Sequence, residues 1–209
     1  MPKKTQLVVV DTNCLVRLYF SPIRPLLAKP VAMHELKTLE EMASELRGLA
    51  KGERHAWLNT PVILDEVNKA VIELTAVQRS AIERDAPNVR KAGQNRLAAY
   101  CLKHNTKAKR NISYVDAFAL TAAIELEATL ATDEWPLRLV AASTNANDNG
   151  DPVKLLSSVD LLSFVEREGM CTREQRVKTY LDWVDYLEVT RDAPALYRQL
   201  FAEEPPKRQ

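Results

Sequence analysis

The stretch Leu7-Val8-Val9-Val10-Asp11-Thr12-Asn13 decides the fold. Four consecutive apolar residues, three of them valine, predict a strand over residues 6–10 that ends abruptly on a carboxylate. A strand with no polar alternation suits a parallel sheet covered by helices on both faces. In such open sheets ligands bind in the crevice beyond the carboxyl ends of the strands. Asp11 is therefore the first candidate binding residue, with a turn or helix-capping role as the plainer alternative.

Three further acids sit in comparable settings. Glu66 follows the apolar run Val62-Ile63-Leu64 and Asp65, which competes for the same role. Asp116 lies in the first turn of a helix that begins near Ser113, and Ser113-x-x-Asp116 is by itself a capping box. Asp133 follows Leu130-Ala131-Thr132, which reads as another strand. Converging carboxylates repel unless a cation lies between them. Hard divalent ions such as Mg²⁺ take oxygen ligands and leave room for phosphate oxygens. The pattern points to a metal-dependent enzyme acting on phosphate esters, with Asp11, Glu66, Asp116 and Asp133 as ligands of Mg²⁺ or Mn²⁺.

Composition narrows the class. The 209 residues are 46% hydrophobic and 27% charged, a soluble globular balance, with a net charge of only +1. Bulk charge therefore declares no nucleic-acid partner. Cys14, Cys101 and Cys171 show no zinc spacing, which fits a reducing cytoplasm. The start Met1-Pro2-Lys3-Lys4 is too soon charged for a signal peptide or membrane span.

Periodicity organises the rest. Helices are predicted over 13–20, after a Thr38–Glu41 capping box, and over 88–104. Further helices start at Ser113, near Asp160 and, through a Thr172–Gln175 capping box, beyond residue 172. Residues 61–65 read either as a short strand or as the first turn of a helix. Strands are expected at 129–132 and 153–156, a turn at Trp135-Pro136, a loop over 143–152 and a disordered tail at 203–209. The order is that of an α/β fold with a small parallel sheet flanked by helices. Residues 170–209 form a helical extension too small to fold alone. Its stripe Tyr180, Leu181, Val184 and Leu187 is expected to dock on the chain's own core.

The four acids in this order resemble the PIN-domain nucleases. The resemblance rests on Val10-Asp11-Thr12-Asn13, Leu64-Asp65-Glu66-Val67, Ser113-Tyr114-Val115-Asp116-Ala117 and Leu130-Ala131-Thr132-Asp133. It spans roughly residues 6–165, so 1–169 would be a PIN-like nuclease domain. Many relatives carry a further Asp shortly after the last motif, where this chain has Glu134 and then Trp135. The resemblance implies hydrolysis of RNA phosphodiesters, in the manner of a VapC-like toxin of a toxin–antitoxin system. It is, however, longer than the usual small toxin. Asn13, Thr132 and Ser113 would support the acids.

Positive charge for RNA lies in the basic segment before Asp116, through Arg90, Lys91, Lys107, Lys109 and Arg110, its alternative being a solvated helix face. Tyr100 and Tyr114 are candidates to stack on unpaired bases. An antitoxin protein and a homodimer partner are the protein contacts left open; no membrane is expected. Two other functions compete. A phosphatase of the haloacid-dehalogenase type also opens on a strand ending in Asp, but wants a second Asp at position 13. The other is a non-catalytic RNA-binding or scaffold module.

Overall fold

Val8, Val9 and Val10 are wholly shielded from solvent, as a central strand must be. In the computed structural model, which describes residues 5–21, 30–31, 33–107, 111–144, 150–187 and 189–207, they belong to β1 (Gln6–Val10). This strand pairs in parallel on both sides, with β2 (His34–Lys37) and β3 (Thr129–Ala131). β4 (Leu155–Leu156) adds in parallel to β3, so the strand order is β2-β1-β3-β4. The chain leaves β1 for one neighbour and later returns to its other side. The carboxyl ends of β1 and β3 thus flank a topological switch point, the place where such sheets open a crevice.

Helices cover both faces. α1 (Thr12–Tyr19), α2 (Glu40–Leu49), a 3-10 segment (Glu53–Leu58) and α3 (Pro61–Ala70) follow the first two strands. α4 (Ala76–Lys103) and α5 (Tyr114–Glu125) pack together on the other face with α6 (Trp135–Ala141). α7 (Ser158–Arg167), α8 (Arg173–Tyr186) and α9 (Ala193–Phe201) complete the chain.

Several predicted boundaries move, each for a local reason. Thr38 does not cap α2. Its hydroxyl donates to the Val10 carbonyl at 3.2 Å, and its backbone bonds Ala70 and Ile72, so it extends the sheet edge instead. Leu39 is the N-cap, without a side-chain bond. Residues 61–65 are helix: Thr60 caps the turn and Pro61 occupies the first helical position, where its missing N–H costs nothing. α4 starts twelve residues before the predicted 88, at a Thr75–Gln78 capping box, and runs through Pro87. Proline there forfeits one helical bond. Ile82 and Ala86, buried against α5, hold the segment helical regardless. At Gly93 the helix comes so close to α6 that a Cβ would meet Val140 at 3.2 Å. Trp135-Pro136 opens a helix rather than a mere turn, again with proline in the first turn.

The extension docks on its own chain, by a different face from the one expected. Arg176, Thr179, Tyr180 and Trp183 are buried, while Val184 is exposed. Trp183 enters the main core, which also holds Leu18 and Val165, and its Nε1–H donates to the Arg17 carbonyl at 2.8 Å. Tyr197 of α9 packs on Tyr180. Nor is the start of the tail loose. The Glu203 carboxylate receives Arg173 at 2.9 and 3.0 Å and Arg176 at 3.0 Å, and these guanidinium bonds draw its carboxyl down to about 2.

Since the Trp183 ring is wholly buried and hydrogen-bonded, Trp183→Ala should cost about 3–5 kcal/mol. Denaturant unfolding of the purified variant measures it. A loss below about 1 kcal/mol would mean that α8 is a detachable appendage.

Candidate active site at the switch point

Asp11 N-caps α1 in extended conformation, a consequence of a strand passing straight into a helix. Its Oδ1 accepts the Thr12 amide at 2.8 Å, and its Oδ2 accepts the Thr132 hydroxyl at 3.0 Å. The Thr132 hydroxyl in turn receives the Glu134 amide at 3.1 Å, so one threonine links the residues just beyond the ends of two strands. Asp11 is nearly inaccessible, and its carboxyl is pushed up to about 8. Burial is the largest cause, followed by repulsion from Asp116, with Glu134 adding to it; the bonds from Thr132 and Thr12 oppose the shift.

Asp116 reaches this place as the third residue of α5. Its Oδ2 accepts the Ser113 amide at 2.7 Å, and the Ser113 hydroxyl accepts the Asp116 amide at 3.0 Å. The capping box and the site are thus one device: the box fixes the carboxylate that faces Asp11. Asn13 donates through Nδ2 to Glu134 Oε1. Asp11, Asp116 and Glu134 therefore form the repelling set.

One of the sequence-derived acids is held otherwise. Asp133 is an architectural residue in this geometry. Its Oδ2 takes the Arg17 guanidinium at 2.6 Å and the Cys14 thiol at 3.5 Å, and its Oδ1 takes the Ser158 amide at 3.1 Å. Both ends of the ion pair are buried. Glu134, one residue on, takes the position beside Asp11 that Asp133 was expected to fill. Glu66 is buried in the middle of α3, whose apolar face packs into the main core. Glu45 of α2 is a further acid at the site: its Oε2 accepts the Thr12 hydroxyl at 2.5 Å. Periodicity gave no sign of it, because Glu45 occupies the exposed side of an amphipathic helix.

A cleft of about 270 Å³ opens beside Glu134 and Glu45, walled also by Thr12, Asn13, Arg54 and His55; Asp11 and Asp116 do not line it. Leu187 closes one side, so the extension borders the site instead of lying apart from it. Burial and the neighbouring Arg54 hold the His55 ring below its ordinary value, so it is neutral at pH 7. Among the described residues, no three His, Cys, Asp or Glu side chains approach closely enough to form a ready-made metal cage.

The basic segment divides. Arg90 donates to the Ile112 carbonyl at 3.2 Å and shares a shallow depression with Lys91 and Tyr114. Lys107 is exposed beside Tyr100. Lys109 and Arg110 lie outside the described residues.

Two outcomes follow. A carboxyl at about 8 when folded, against roughly 4 unfolded, keeps a proton that the unfolded chain releases. The stability it contributes is full below pH ~4 and is lost as pH rises through ~8. Asp11→Asn should therefore gain stability over the parent in chelator, increasingly so toward pH 8; parallel melting curves across that range would contradict the burial of Asp11. Asp133→Ala, in contrast, removes the carboxylate of a buried ion pair and should cost about 3–5 kcal/mol at pH 7. Glu134→Gln should leave unfolding nearly unchanged.

Comparison of the chain with family models, with curated proteins and with solved structures returned no match, so the reading of the site rests on its geometry.

Proposed function

We propose that the chain is a divalent-metal-dependent ribonuclease whose ligands are Asp11, Asp116 and Glu134, with Glu45 on the opposite wall. The observation that carries this reading is the nearly inaccessible Asp11 carboxylate at the end of β1, held by Thr12 and Thr132 and repelled by Asp116 and Glu134. A protein gains nothing from burying a carboxylate against two others unless something positive takes up the charge. An all-oxygen set of carboxylates suits Mg²⁺ or Mn²⁺ and fits neither zinc nor copper preference. When bound, the ion would lower the pKa of water toward neutrality and offset the charge of a scissile phosphate.

The chain's own residues supply positioning. Thr12 and Thr132 hold the two Asp11 oxygens, the Ser113 amide holds Asp116, and Asn13 holds Glu134. Second partners of this kind restrict the carboxylates, which would draw together around an ion on binding. Arg54 at the cleft wall provides positive charge for a phosphate, and neutral His55 beside it provides a proton-accepting nitrogen. The motifs around Asp11 and Asp116, which resemble those of PIN-domain nucleases, support RNA as the phosphodiester. The Asn13–Glu134 bond weakens the phosphatase alternative, since position 13 acts as a donor to an acid and not as a second carboxylate.

Cleavage of an end-labelled single-stranded RNA tests the proposal. Activity should require Mn²⁺ or Mg²⁺, vanish in EDTA and return on adding metal. Asn13→Ala should lower it roughly ten- to hundredfold, and Asp11→Asn or Glu134→Gln by more. A small phosphomonoester should be left intact. Undiminished cleavage in excess chelator would overturn the metal site.

A further inference from the structure

A second, larger cleft of about 920 Å³ begins one residue beyond the acidic set. Its walls come from the end of α4, the start of α6 and the turn before α9, and include Tyr100, Lys107, Trp135, Arg138 and Arg191. Trp135 directly follows Glu134 and is 41% exposed; Tyr100 is 36% exposed. Their rings stand 5.9 Å apart at 51°, and Tyr100 leans on His104 at 4.3 Å. Trp183, by comparison, is wholly buried.

Two features of this cleft point to one kind of occupant. The aromatic pair is large, half-exposed and held from behind, since Pro136 and Leu137 anchor the start of α6 in the core. Arg138 is fixed as well, its Nη1 donating to the Thr132 and Leu156 carbonyls at 3.0 and 3.3 Å. It therefore presents positive charge at the cleft without losing side-chain freedom on binding. Against the three cations stand Asp192 and Asp133, and the second of these is already neutralised by Arg17. An aromatic platform beside surplus positive charge is what an unpaired nucleotide requires: a π-face for the base and cations for its phosphate. A base in a duplex has neither face available.

We propose that this cleft is a subsite for one unpaired nucleobase, stacked on Trp135 with Tyr100 beside it, with Lys107, Arg138 and Arg191 facing its phosphates. On the reading of the chain as a ribonuclease, on which the choice of RNA rests, the strand continues from here to the carboxylates, since Trp135 and Glu134 are consecutive. The subsite restricts the enzyme to single-stranded RNA and fixes where along the strand the acids act. It also explains why residues 190–192 of the extension reach the nuclease core: they close the far wall of the cleft.

The test is binding of the full chain to a labelled oligoadenylate in EDTA, where nothing is cleaved, followed by anisotropy and by tryptophan fluorescence. The expected result is quenching on binding by the parent and a Kd raised roughly five- to hundredfold by Trp135→Ala. Trp135→Phe, which keeps a stacking ring and guards against a folding artefact, should retain most of the affinity and lose the quench. The same oligomer in a duplex, or with abasic positions throughout, should bind weakly and without quenching. Equal affinity of parent and Trp135→Ala, or equal quenching by the duplex, would overturn the subsite. Adding Mn²⁺ separates the two proposals. Quenching that depends on Trp135 without cleavage overturns the ribonuclease and retains the cleft. Cleavage unaffected by Trp135→Ala overturns the cleft and retains the ribonuclease.

Discussion

The buried ion pair between Arg17 and Asp133 is the contact on which the rest of the site depends. It ties α1 to the end of β3, and through the Ser158 amide it ties both to α7. The backbone of the same arginine receives the Trp183 indole, which brings α8 into the core. Four elements from distant parts of the chain thus converge on this pair of residues. A buried pair of this kind adds little net stability against an apolar substitute, but it is costly to half-remove. Its value here is registry: with Asp133 locked, the next residue, Glu134, is presented toward Asp11.

This registry separates two jobs that the sequence places side by side. Asp133 is neutralised within the protein and carries structure. Asp11 instead sits buried where Asp116 and Glu134 repel it, which raises its carboxyl. Strain of this sort, stored at the carboxyl end of a parallel sheet, is where a ligand of opposite charge binds most favourably. The adjoining aromatic cleft extends the same surface, with the charge reversed.

Much of this was legible in the sequence, and the rest fails for identifiable reasons. The uninterrupted valines announced β1, and the Ser113–Asp116 box announced both α5 and the placement of its acid. The edge strand β2 was not legible. His34-Glu35-Leu36-Lys37 is mostly polar, and only pairing with β1 makes it a strand. Asp133 follows an apolar run, as expected, but its carboxylate meets an arginine 116 residues away that no local pattern reveals. Glu45 has the same difficulty in reverse, because an exposed acid on an amphipathic helix looks like solvated surface until the crossover brings it to Thr12. The Glu134 role had one sequence signal, the acid two residues beyond Thr132, whose hydroxyl serves both neighbours.

The central claim is that Asp11, Asp116 and Glu134 form a cation site held in a protonated, waiting state. Calorimetric titration of Mn²⁺ at pH 7, repeated in buffers of different ionisation enthalpy, counts the protons released as the ion binds. With the Asp11 carboxyl at about 8, the parent should bind Mn²⁺ and release close to one proton, while Asp11→Asn should bind far more weakly and release none. Absence of Mn²⁺ binding, or the same affinity and proton count in both proteins, would contradict the account.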